Sequence, residues 1–169
     1  MTGNASTRAV GMSAANEPKS PTPMGGASVS EVLARLEAAE CGSRELDAEV
    51  ASVCEDGEVV WIQNRYIEGS NPAIRRPSAN HLGGFVNDPC YSYTTSLDAA
   101  LALAERIWPH VMWRVGHDPD DGSFKAQLAT AQKPGDQPAV HANASTSALA
   151  LCIAILRARQ ASNPTAEGV

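Results

Sequence analysis

The chain has 169 residues, the length of one domain with room for tails, and 43 % of them are apolar. A formal net charge of −6 argues against a dedicated binder of duplex nucleic acid, which presents a basic face. No apolar run approaches the length of a bilayer span, and the first residues lack the apolar stretch of a signal peptide, so a cytoplasmic protein away from membranes is expected.

Residues 1–27 hold Ala, Ser, Thr, Gly, Pro and Asn with no period, and read as a disordered tail. Order is expected from Ser28. Ser28-Val29-Ser30-Glu31 is a capping-box pattern, in which a serine oxygen and a glutamate satisfy free amides at a helix start. Val29, Val32, Leu33 and Leu36 then follow helical spacing, and Gly42 is the expected stop. A second short helix is predicted from about Arg44 to Val53, with Leu46, Val50 and Val53 on one face. Nine acids and two arginines lie between Glu31 and Glu58, which predicts an acidic outer face, either simply solvated or available to a basic partner.

Asp56-Gly57 signals a turn, and Glu58–Ile62 reads as a strand. Residues 63–90 contain Asn-Pro, Arg-Pro, Gly-Gly and Asp-Pro and are expected to form one long loop. Thr95-Ser96-Leu97-Asp98 is a second capping-box pattern. It opens a helix whose stripe is Leu97, Ala100, Leu101, Ala104 and Ile107, ended by Pro109. Val111, Trp113 and Val115 alternate with Met112 and Arg114, and Phe124, Ala126 and Leu128 alternate with Lys125 and Gln127. With Asp118-Pro119-Asp120-Asp121-Gly122 between them they predict a β-hairpin with one apolar face. A polar loop is expected over about 132–144. A last helix, capped by Ser145 or Thr146, is apolar nearly all round from Leu149 to Leu156 and should be buried, with Arg157 and Arg159 suited to its negative end. Residues 162–169 read as a second tail. The elements together predict an α+β fold: one ordered domain over 28–161, with a mixed or antiparallel sheet covered by helices.

The four cysteines, at 41, 54, 90 and 152, form no C-x-x-C pair and are not dense, so reduced thiols are expected, with Cys152 in the core. The four histidines show no metal spacing, and no cofactor is indicated. Asp118–Gly122 is one residue short of a calcium loop and has no closing glutamate. His117 beside Asp118, and Cys90 with His81 the nearest histidine in sequence, are the acid–base and nucleophile candidates. A nucleophile needs a base within hydrogen-bond reach, which nearness in sequence does not supply, and no catalytic residue is assigned. The best candidate is a ligand site in the 63–90 stretch: Arg65, Tyr66, Asn71, Arg75, Arg76, Asn80 and His81. Guanidinium forks bind phosphate and an aromatic can stack on a base, so this set suits a small anionic ligand. The alternative is a solvated loop whose arginines pair with the acidic helices.

Tyr91-Ser92-Tyr93-Thr94-Thr95-Ser96-Leu97-Asp98-Ala99-Ala100-Leu101-Ala102-Leu103 resembles a helix start of the phage ABA-sandwich domain family. Trp113-Arg114-Val115-Gly116-His117 with its acidic turn, and Ala148 to Arg159, are similar to later parts of the same family. The resemblance spans residues 91–159 and extends back to about Leu46. It implies a small α-β-α sandwich encoded by a phage or prophage, and it brings no catalytic residues with it. The 63–90 segment and the N-terminal extension depart from the shorter members. The functional expectation is therefore a non-catalytic binding or interaction protein in the host cytoplasm, with a protein partner or a small anionic ligand and possible self-association. A sponge for a phosphorylated or nucleotide signal of host defence is the alternative, and a small enzyme a second one.

Overall fold

The computed structural model describes residues 27–63, 70–79, 84–130 and 139–162. Four helices, α1 (Val29–Glu37), α2 (Arg44–Cys54), α3 (Leu97–Ile107) and α4 (Ser147–Ser162), accompany two three-stranded antiparallel sheets. The first sheet has the order β1 (Glu58–Gln63), β2 (Ser70–Pro77), β3 (Phe85–Pro89); the second has β4 (Val111–His117), β5 (Phe124–Thr130), β6 (Val140–Ala144). This is the expected α+β sandwich, with two small sheets in place of one.

The helix caps follow from local chemistry. The Glu31 amide donates to Ser28 Oγ at 3.3 Å, and the Ser28 amide donates to Glu31 Oε2 at 2.8 Å, so the first capping box forms as predicted. Ser43 caps α2 through the Leu46 amide. At α3 the cap is Ser96, which accepts from the Ala99 amide at 3.3 Å; the predicted box with Thr95 shifts by one residue because the Thr95 and Ser96 amides both turn back to Ser92 O. Thr146 caps α4, and the other candidate, Ser145, donates its hydroxyl to Glu40 O at 2.5 Å instead.

Gly42 is not the stop of α1, which ends at Glu37. Its role is close approach: a Cβ there would lie 2.3 Å from Thr94 O. The contact belongs to a latch between the start of α2 and the segment before α3. Buried Asp47 accepts at Oδ1 from the Thr94 amide and hydroxyl, both at 2.8 Å, and the Ser43 amide donates to Thr94 Oγ1 at 3.1 Å.

The predicted loop over 63–90 contains two strands. β2 pairs with β1 (Val59 opposite Ile74, Trp61 opposite Pro72) and with β3 (Ile74 opposite Asp88, Arg76 opposite Val86). Pro72 and Pro77 hid β2, because proline argues against a central strand; burial of Ala73 and Ile74 against α2 outweighs the missing donors. The predicted polar loop likewise ends in β6, whose Ala142 packs opposite Ala126 on the covered face of the second sheet. The hairpin forms as predicted, with Trp113 opposite Leu128 and Val115 opposite Ala126, but Trp113, expected on its apolar face, is exposed. Its turn is held by the Gly122 amide on Asp118 O and by Gly122 at φ +72°.

α4 is the centre of the molecule. Ten of its residues are buried, and it contacts β4, β5 and β6 on one side and α1 and α3 on the other. A helix packed all round needs apolar residues all round. The buried side of α3 is Ala100, Leu103 and Ala104, with Leu101 only half-buried, so the predicted stripe is rotated by part of a turn.

Candidate functional site

The described residues gather a charged cleft at the C-terminal end of α2. Its walls include Cys54, Glu55, Arg76, Leu103, Arg106 and Arg159, and its volume is about 500 Å³. Glu55 follows directly after α2, and its carboxylate is only 5 % exposed. A carboxylate taken out of water must be fully paired. Arg76 reaches Glu55 Oε2 at 2.8 Å from β2, Arg106 reaches Oε1 at 2.9 Å from α3, and the Tyr93 hydroxyl donates to Oε1 at 2.7 Å. Three segments far apart in sequence thus converge on one side chain.

The two guanidiniums are held in place by further contacts. Arg76 also donates to Asp56 O at 2.7 Å and to Asp88 Oδ2 at 3.2 Å. Arg106 stands 6.0 Å from the centroid of the Tyr91 ring. Arg159, from the last turn of α4, differs from both. It donates to Cys54 O at 3.4 Å and has no carboxylate partner among the described residues. Burial and the neighbouring Glu55 raise the Tyr93 hydroxyl above the ordinary tyrosine range, so it stays a donor. Burial pushes the Cys54 thiol up to about 12, which makes it a poor nucleophile at neutral pH.

Of the predicted ligand residues, Arg65, Tyr66, Asn80 and His81 lie outside the described residues. Asn71, Arg75 and Arg76 sit on β2 rather than on a loop. As strand neighbours, Arg75 and Arg76 point to opposite faces of the sheet. Arg76 enters the cleft. Arg75 lies over the Phe85 ring at 5.7 Å, with Glu58 at 3.9 Å. The structure therefore separates these two and joins Arg76 to Arg106 and Arg159, which sequence reasoning assigned to no site. Nothing in their spacing marks them, because the cleft is assembled across the whole fold.

The other candidates stand apart. Cys90 is buried, its thiol donates to Asp47 O at 3.5 Å, and burial with the neighbouring Asp47 pushes it up to about 12. His117 packs edge-on to Phe124 at the hairpin end. Asp118 is paired with Lys125, whose contact holds its carboxyl below the usual range. Among the described residues no group of three or more His, Cys, Asp or Glu side chains is placed to hold a metal ion, and no helix is long and apolar enough to cross a membrane. The acidic stretch is less external than predicted. Asp47 and Glu49 are buried in α2, and Glu55 is held in the cleft.

No family model, curated protein or solved structure matches the chain.

Proposed function

We propose that the protein is a non-catalytic binding protein whose cleft takes a small anionic ligand, of which phosphate esters are the best-matched class. The observation that carries this reading is Arg159. Among the described residues its guanidinium has only a backbone carbonyl as partner, and it lines the cleft beside two guanidiniums that Glu55 holds in position. Guanidinium forks match phosphate oxygens and gain most where water is partly excluded. Glu55 pairs with Arg76 and Arg106, and Asp88 pairs with Arg76, which leaves Arg159 for the ligand. The high thiol of Cys54 favours holding a ligand over attacking one. The loss of Asp47, Glu49 and Glu55 from the outer surface weakens the case for an acidic docking face and strengthens that for the cleft.

The resemblance of residues 91–159 to the phage ABA-sandwich family supports a phage or prophage origin and action in the host cytoplasm. A phage protein that holds a phosphorylated signal without consuming it would act as a sponge against host defence.

Calorimetric titration of the full chain with inorganic phosphate and pyrophosphate tests the site. Binding is expected, weaker by about tenfold or more in Arg159→Ala, with the melting temperature of the unliganded variant close to wild type. Absence of binding, or equal affinity in the variant, overturns the assignment.

A further inference from the structure

Resting on that reading, we infer that the ligand carries a planar ring as well as a phosphate, and that Tyr91 is its stacking platform: the ligand class is a nucleoside monophosphate. Tyr91 is 53 % exposed, in a chain where aromatics make up 5 % of residues. Its placement is not that of a loosely held surface residue. Cys90 before it is buried and ties its amide to Pro72 O at 3.2 Å. Ser92 after it accepts from Arg44 at 3.0 Å, and Thr94 is locked to Asp47. The Tyr91 ring rests at 6.1 Å from the buried Tyr93 ring, tilted by 56°. An exposed ring on a backbone fixed on both sides is ready to stack at little entropic cost.

Arg106 joins the ring to the cleft. One guanidinium is at once in the cleft wall, on Glu55, and 6.0 Å from the Tyr91 centroid. A ligand whose phosphate sits at Arg159, in the cleft whose wall holds Arg106, the neighbour of Tyr91, therefore has an aromatic face within reach of its anionic end. That juxtaposition suits a base attached to a sugar phosphate, since every base has a π-face and a guanidinium plane can add to the stack.

The test compares three probes on the full chain by calorimetry: inorganic phosphate, ribose 5-phosphate and adenosine 5′-monophosphate. The nucleotide is expected to bind about tenfold tighter than ribose 5-phosphate. Tyr91→Ala should erase that difference and leave ribose 5-phosphate affinity unchanged, while Tyr91→Phe keeps it. Equal affinity of the two organic probes for wild type, or a nucleotide preference that survives Tyr91→Ala, overturns the stacking role and leaves the anion site standing. Failure of all three probes to bind overturns the anion site and this inference with it.

Discussion

The Tyr93 hydroxyl donates to Glu55 Oε1 at 2.7 Å, and the ring that carries it is fully buried. One residue thus belongs both to the core and to the cleft, and the cleft's carboxylate is tied directly to the packing of the domain. Tyr93→Phe keeps the packing and removes one donor to a buried charge. It should cost about 1.5–3 kcal/mol, read from urea unfolding. A change below about 0.5 kcal/mol would mean that the two guanidiniums alone satisfy Glu55.

Gly42→Ala places a methyl 2.3 Å from Thr94 O, a backbone atom that the Asp47 latch prevents from moving freely. The expected cost is about 1–3 kcal/mol, the range of overpacking. A neutral substitution would show that the α2 start and the segment before α3 separate easily.

On α3, Leu103→Ala should cost about 2–5 kcal/mol, as should Leu156→Ala in α4, because both side chains are almost fully enclosed. Leu101→Ala should cost clearly less than Leu103→Ala, because Leu101 is only half-buried. The reverse order in chemical denaturation would contradict the rotation of α3 described above.

Glu49 gives a pH signature. Burial raises its pKa above the ordinary 4.5, Arg35 offsets part of the effect, and its Oε2 has no hydrogen-bond partner among the described residues. A raised folded-state pKa means that its stabilising contribution is full below the ordinary value and is lost as pH rises through the raised one. The wild type should therefore lose melting temperature relative to Glu49→Gln as pH goes from about 4 to 7. The lowered carboxyls of Glu31, Asp118 and Asp121 act in the opposite sense, but they are common to both proteins and cancel in the comparison. Parallel melting curves would rule out the burial of this charge.

Thiol titration distinguishes the cysteines. Cys41 is exposed, whereas Cys54, Cys90 and Cys152 are buried and their thiols are raised. One thiol should react promptly with a disulfide reagent in the native protein and the other three only on unfolding. Fast reaction of a second thiol would mean that the cleft or the latch opens readily.

Where one local rule acted alone, the fold was legible in the sequence. The Ser28 box, the apolar run of α4 and the hairpin around Asp118–Gly122 each announced themselves. Illegible parts were those in which long-range burial overrode a local signal. β2 forms despite Pro72 and Pro77, and β6 exists only because β5 offers Ala126 and Leu128 as partners. The cleft was legible in one residue, Arg76. Glu55 was one acid of an acidic stretch, Arg159 a cation suited to a helix end, and Arg106 carried no local signal; only α2, α3 and α4 bring them together.

The position of α4 has a consequence for biosynthesis. Every strand and helix that leans on it precedes it in the chain. During translation the second sheet and α1 emerge with their apolar faces uncovered, and no order of local folding covers them until α4 leaves the ribosome. Nascent chains stalled before Ser147 should then remain open to protease across both layers, and release of that one helix should close them together.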